Sequence, residues 1–262
     1  MLGAIIGDIV GSRFERHNHK SKDFELFTDQ CGFTDDTAMT VAIAKALLEC
    51  NGDYTDLSNH AIRCMQEIGQ KYPDAGYGRI FYQWLYKKVP GPYWSYGNGS
   101  AMRVSPVAYV AKSAKECIKL SDAVTRVSHN HPEGMKGAEA IASMIFGARS
   151  ALPKSLLRDV AQTRYYILDF TIDKIRPKYR FDASCQGSVP QAIEAFLESE
   201  SFEDAIRIAV SLGGDSDTIA AMTGSIAGAY YGVPNELRKR ALTYLPQDFL
   251  DILEEFEATY QK

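Results

Sequence analysis

Residues 37–48 (TAMTVAIAKALL) and 218–231 (TIAAMTGSIAGAYY) are small and apolar almost all round. A helix without a polar face must lie at the centre of a fold, and its many Ala, Gly and Ser side chains let neighbouring helices approach closely. Around these two, the apolar positions recur at three- and four-residue steps. Phe202, Ala205, Ile206, Ala209 and Leu212 form one amphipathic face, and Phe249, Leu250, Ile252, Leu253 and Phe256 another. Weaker patterns of the same period cover 55–70, 78–87, 114–127 and 133–149. Strand signals are scarce. Residues 164–181 mix aromatics and charges without a period, and 89–106, with Pro90, Pro92, Pro106, Gly91, Gly97 and Gly99, reads as a loop. The pattern predicts an all-α fold. With 262 residues and no repeat or linker, the chain reads as one domain over 1–262.

Composition narrows the function. A net charge of -4 and the lack of a basic stripe argue against general nucleic-acid binding. Five scattered cysteines, Cys31, Cys50, Cys64, Cys117 and Cys185, fit neither a disulfide framework nor a zinc site, and read as reduced thiols of a cytoplasmic protein. The segment Met1–Asp8 has no basic start, and Asp8 interrupts its apolar run, so it is not read as a signal peptide. The small-apolar stretch 219–231 is shorter than the ~20 residues of a membrane span, so no membrane is expected. Nor is there a long heptad pattern or apolar edge to demand an oligomer, and a monomer is expected.

Each central segment is headed by acids: Thr34-Asp35-Asp36 before the first, Asp215-Ser216-Asp217-Thr218 before the second. One such cluster is adequately explained as a helix cap, contributing ~1 kcal/mol. Two, each heading a buried helix, would repel one another and lose hydration unless a cation compensated. Oxygen donors without Cys or His suit Mg²⁺ or Mn²⁺ better than zinc, and the Asp-x-Asp spacing lets a pair of ions sit roughly 3.5–4 Å apart. Two other helical metal chemistries fit poorly. A prenyl-diphosphate enzyme wants an acid four residues after Asp35, where Met39 stands. A His-Asp phosphohydrolase needs a His-Asp pair, and none of the five histidines is followed by Asp.

Other residues admit two readings each. Gly97-Asn98-Gly99-Ser100 is an Asn-Gly turn or a phosphate-binding turn before a helix starting near Ala101. His129 and His131 are structural residues, metal ligands or bases, whereas His17 and His19 lie in a polar, solvated stretch. Arg103 is read as neutralising the acidic core rather than contacting substrate. Tyr179 and Phe181 pack, or stack on a base.

Five segments occur in order: Gly7-Asp8-Ile9-Val10-Gly11-Ser12-Arg13-Phe14-Glu15, Phe33-Thr34-Asp35-Asp36-Thr37, Gly97-Asn98-Gly99-Ser100-Ala101-Met102-Arg103, Ser128-His129-Asn130-His131-Pro132 and Gly213-Gly214-Asp215-Ser216-Asp217-Thr218. In these the chain resembles the ADP-ribosylglycohydrolase family over nearly its whole length. The resemblance implies an orthogonal multi-helix bundle with a dinuclear cleft for two Mg²⁺, held by Thr34, Asp35, Asp36, Asp215, Asp217 and Thr218. It also implies hydrolysis of the bond between ADP-ribose and an acceptor on a protein or small molecule. Glu15, Asp35 and Asp217 would be catalytic. Gly97, Asn98, Gly99 and Ser100 would hold the diphosphate and its ribose, with His129 beside them; His131 gains no such support. Some relatives carry Thr where this chain has Ser128. The alternative is a silent ADP-ribose-binding module, whose mark would be a lost acid, yet Glu15 and both clusters are present.

Overall fold

The computed structural model describes residues 1–260; the end of the expected domain at residue 262 lies outside them. The helices run α1 (Leu2–Gly11), α2 (Asp35–Glu49), α3 (Leu57–Lys71), α4 (Arg79–Leu85), α5 (Gly99–Met102), α6 (Ser105–Val110), α7 (Ala114–Thr125) and α8 (Pro132–Arg149). They continue as α9 (Lys154–Arg164), α10 (Ile172–Ile175), α11 (Cys185–Glu198), α12 (Phe202–Leu212), α13 (Ser216–Tyr231), α14 (Asn235–Leu242) and α15 (Gln247–Tyr260). Among the described residues no strand forms, and an isolated bridge joins Gly97 to Ser184. The fold is all-α, as the periodicity predicts.

The centre is built from α1, α2 and α13. Every residue of α1 is buried, and so are Ser216–Ala227 of α13. Their closeness follows from glycine at every fourth position of α1, which puts Gly3, Gly7 and Gly11 on one stripe. A Cβ added to Gly3 would lie 2.1 Å from the Gly224 carbonyl oxygen, one on Gly7 2.0 Å from that of Ala220, and one on Gly11 2.5 Å from Asp217 Cα. The two backbones therefore touch, and the contact at Gly11 holds the start of α13, where the acids are.

Capping explains where the surrounding helices begin. Thr34 caps α2, its hydroxyl accepting from Asp36 N at 3.2 Å, and Ser201 caps α12 through Asp204 N. Between α12 and α13 the chain turns through Gly213 and Gly214, both left-handed at φ 69° and 78°. The amphipathic α15 buries Phe249, Leu253 and Phe256 and exposes Asp251, Glu254 and Glu255. A continuous core runs from α1 to this last helix.

Some elements depart from the sequence reading. Residues 89–98 are irregular, but α5 and the start of α6 lie inside the expected loop. Asn98 O accepts from Ala101 N and Met102 N, and Pro106 sits in the first turn of α6, where its missing N–H costs nothing. Within 164–181, Arg164 ends α9 and the rest is irregular except for α10. Helices α1, α9, α11 and α14 have no counterpart in the periodicity analysis. In α11, Gly187 and the internal Pro190 suppress local helix propensity, and burial of Val189, Ile193 and Phe196 overrides them.

Candidate active site: an acidic cleft between two helix starts

A cavity of about 540 Å³ opens above the first turns of α2 and α13. Glu15, Thr34, Asp35, Asp215, Asp217 and Thr218 line its acidic floor, and Gly97, Asn98, Gly99 and His129 line another wall. Ser100 does not line it. The Ser100 hydroxyl is buried and donates to Gly134 O at 2.8 Å, with Gly97 O also within 3.2 Å, so it braces the turn from behind.

The acids are positioned by three separate devices. Asp8, fully buried on α1, accepts from Thr34 N at 2.9 Å, Thr34 Oγ1 at 2.7 Å and Thr37 N at 3.0 Å, and so caps α2 from a neighbouring helix. Asn98 Nδ2 donates to Asp215 Oδ2 at 2.7 Å and ties the glycine turn to the second acid cluster. Asn18 donates to Glu15 O at 3.2 Å and accepts from Gly214 N at 2.6 Å, which holds the turn carrying Glu15 against the start of α13. The two clusters meet directly, for Thr218 Oγ1 donates to Asp36 Oδ2 at 3.1 Å.

Charge is concentrated here, and among the described residues no side-chain cation forms an ion pair with it. Burial pushes the Asp35 carboxyl up to about 8, with Asp8 and Asp215 adding to the effect. Burial first, then Asp8 and Asp217, raises Asp36 well above the ordinary carboxylate value; burial and Asp215 do the same for Asp217. Glu15 is raised by burial and by Asp215, while hydrogen bonds from Asn98 and Thr34 partly offset burial at Asp215 and Asp8. Arg103 forms no ion pair with these acids among the described residues; its buried guanidinium donates through Nη2 to Val124 O at 3.2 Å and Ser128 Oγ at 2.8 Å. Asp35 still acts on it through space, so the expected charge balance is present only at long range.

The donor set suits a hard cation. Carboxylate oxygens of Asp8, Asp36 and Asp217 lie within 4.8 Å of one another, as do those of Glu15, Asp215 and Asp217. Asp217 belongs to both groups and Asp35 to neither. Asp36 Oδ1 and Asp217 Oδ1 are buried with no hydrogen-bond partner, the state of a ligand atom awaiting a metal. These clusters could hold metal ions.

The remaining candidates fall outside the acid groups. His129 is buried, its Nδ1 2.8 Å from Ser128 Oγ, and its ring lies beneath the turn. His131 caps α8 by accepting from Glu133 N. His17 is exposed. Tyr179 donates its hydroxyl to Gly187 O at 2.6 Å and packs, whereas Phe181 is 55% exposed at the cavity edge. Two contributors escape the sequence reading. Asp8 reads as a break in an apolar run, yet a lone acid inside a helix with no polar face was the available signal. The segment 75–81 also lines the cavity, and Ala75 O accepts from Asp35 N at 2.7 Å. Nothing in its turn-like sequence marks it.

The sequence pattern of the ADP-ribosylglycohydrolase family matches residues 1–261. Among curated relatives, ADP-ribosylhydrolase ARH3 of Mus musculus is 27% identical, over 99% of this chain and 87% of its own length. The Homo sapiens ARH3 is 27% identical over 95% and 90%. ADP-ribosylarginine hydrolase Tri1 of Pseudomonas putida (strain GB-1) is 28% identical over 89% and 70%. A solved structure titled ADP-ribosylglycohydrolase-related protein complex shares the fold, with a TM-score of 0.69 and 24% identity over 99% of this chain and 95% of that one. The chain belongs to the ADP-ribosylglycohydrolase family.

Proposed function

We propose that this chain hydrolyses the glycosidic bond between ADP-ribose and an acceptor, reversing ADP-ribosylation, with two Mg²⁺ ions, or Mn²⁺ in their place. The observation that carries the reading is the pair of buried oxygens without a hydrogen-bond partner among the described residues, Asp217 Oδ1 on the floor of a cleft walled by a glycine turn and a histidine, and Asp36 Oδ1 in the acid group that shares Asp217. The family membership and the names of the relatives support the reaction class.

Thr34, Asp35, Asp36, Asp215, Asp217 and Thr218 would hold the ions. When bound, the ions supply Lewis-acid polarisation of oxygen ligands and make water more acidic. The chain's own residues do the rest. The Gly97-Asn98-Gly99-Ser100 turn offers backbone amides to the diphosphate, and His129 adds a ring nitrogen. This fixes the ribose with its anomeric carbon above the acids. As the bond to the acceptor breaks, positive charge grows on the ribose ring, and Asp35 and Asp217 stabilise it electrostatically. Glu15 takes the proton of the attacking water and returns it to the acceptor atom, which leaves with the bonding electron pair; its raised pKa brings it closer to the range useful to a base near neutrality. Asp8 and Asn98 move no proton and keep the acids in register. We also propose that residues 1–262 act as one domain, as a monomer in the cytoplasm. Five buried free thiols are consistent with that compartment. Among the described residues no helix is long and apolar enough to cross a membrane.

The test is a panel of ADP-ribosylated arginine, serine and nucleobase substrates with O-acetyl-ADP-ribose, incubated with Mg²⁺ and then EDTA. Release of ADP-ribose that stops on chelation is the expected result. Release indifferent to EDTA would remove the ions from the mechanism. Binding without release across the panel would make the chain a silent ADP-ribose module.

A further inference from the structure

We infer that Arg103 and Ser128 are positioning residues that hold His129 in the Nε2–H tautomer, so that the ring presents a hydrogen-bond donor to an anionic substrate group beneath the Gly97-Asn98-Gly99 turn. The inference deepens the proposed function and rests on it for the identity of the group bound.

The count of protons around Ser128 Oγ selects the tautomer. A serine hydroxyl has one hydrogen and two lone pairs, whereas an arginine guanidinium can only donate. Arg103 Nη2 lies 2.8 Å from Ser128 Oγ and so occupies a lone pair. His129 Nδ1 lies 2.8 Å from the same oxygen. If Nδ1 carried the imidazole proton, it would fill the second lone pair. The Ser128 hydrogen would then have no acceptor among the described residues, in a fully buried position. The other assignment satisfies both Ser128 Oγ and His129 Nδ1: Ser128 donates to Nδ1, and the ring proton sits on Nε2. The backbone reinforces this, since His129 N and Ser128 N both donate to Thr125 O, and Ser128 O accepts from Tyr93 N.

The direction of Nε2 gives the arrangement its use. That nitrogen lies 3.4 Å from where a Cβ on Gly99 would be and 3.6 Å from one on Gly97, and the ring lines the cavity. Glycine at both positions leaves the nitrogen accessible to a ligand oxygen. Burial, and the Arg103 charge behind Ser128, oppose a second proton on the ring. The group offered to substrate is thus one oriented N–H donor. Arg103 also lines the cavity, but its Nη2 is committed to Ser128 Oγ and Val124 O, so it acts on the ring through Ser128.

The test uses the full chain labelled with ¹⁵N-histidine, the His129 signals being assigned by their loss in His129→Gln. Long-range ¹H–¹⁵N correlation of the wild type is expected to show Nε2 protonated and Nδ1 bare. Ser128→Thr keeps the hydroxyl and should keep this pattern. Ser128→Ala should give a mixture of tautomers, with KM for an ADP-ribosylated substrate rising about tenfold and more than kcat falls, as for one lost hydrogen bond to a charged group. A wild-type spectrum with Nδ1 protonated overturns the inference, and so does a Ser128→Ala protein whose tautomer and KM are unchanged. Should Ser128→Ala fail to fold, the wild-type and Ser128→Thr spectra still decide it. Absence of turnover on every ADP-ribosylated substrate would defeat the proposed function while leaving the tautomer to be read.

Discussion

Thr218 donates its hydroxyl to the Asp36 carboxylate across 3.1 Å, although the two residues are 182 positions apart in the chain. That bond joins the first turns of α2 and α13 and turns two separate helix caps into one acidic floor. It uses one oxygen of Asp36 and leaves the other unpartnered beside Asp217. The consequences can be measured.

Substituting Asp36→Asn should have opposite effects with and without metal. In EDTA the variant is expected to melt above the wild type, because one of several mutually repelling buried carboxylates is gone. With Mg²⁺ at about 100 times its dissociation constant, the wild type should gain about 2.7 kcal/mol and the variant almost nothing. Thermal melts with and without Mg²⁺, alongside turnover, check both signs. A variant that responds to Mg²⁺ as the wild type does would remove Asp36 from the ligand set.

Asp8→Ala should destabilise the fold as well as the site. The carboxylate accepts three hydrogen bonds from Thr34 and Thr37, and its loss strands those donors in a buried place. The cost is expected at roughly 3 kcal/mol by urea unfolding in EDTA. A cost near zero would mean that water or another side chain takes over the cap of α2.

Gly7→Ala adds a single methyl group where its carbon would stand 2.0 Å from the Ala220 carbonyl oxygen. Backbone cannot step aside as a side chain can, so α1 and α13 must separate. A loss of about 3 kcal/mol is expected in urea, together with a weakened Mg²⁺ response, although residue 7 touches no acid oxygen. Retention of the full Mg²⁺ shift would uncouple the helix contact from the site.

Asp248, which does not line the cleft, makes a pH-dependent contribution to stability. Burial would raise its pKa, but hydrogen bonds from Lys71 and Tyr72 outweigh this and hold it below the ordinary 3.8. A depressed carboxylate stabilises the fold above its unfolded pKa, and that contribution is lost as pH falls through the folded value. Asp248→Asn should therefore be less stable than wild type at pH 7, with the gap narrowing once pH falls below the ordinary 3.8. Paired urea titrations above and below that pH check it.

How much of this could be read in the sequence depended on whether the signal was local. Helices α2 and α13 are plain because residues 37–48 and 218–231 lack a polar face, and the acids at their heads are visible as pairs. Helix α1 hides because three glycines lower its propensity and Asp8 looks like an interruption. Both features make sense only against partners far along the chain, the glycines against α13 and the acid against Thr34 and Thr37. The bonded partners of Arg103 are hidden for the same reason. A positive residue near an acidic cluster suggests charge balance, but its hydrogen-bond partners, Val124 and Ser128, lie more than twenty residues away.

The glycine stripe of α1 has one more consequence. Where helices are kept apart by leucines or phenylalanines, their separation drifts as those side chains change shape. Here peptide planes rest on peptide planes, so the gap between Asp8 and Asp217 is set by bond lengths and van der Waals radii of the main chain. The aromatic periphery can be reshuffled without retuning the ion-binding distances. The centre of the molecule works as a fixed gauge, and the outer helices are free to vary around it.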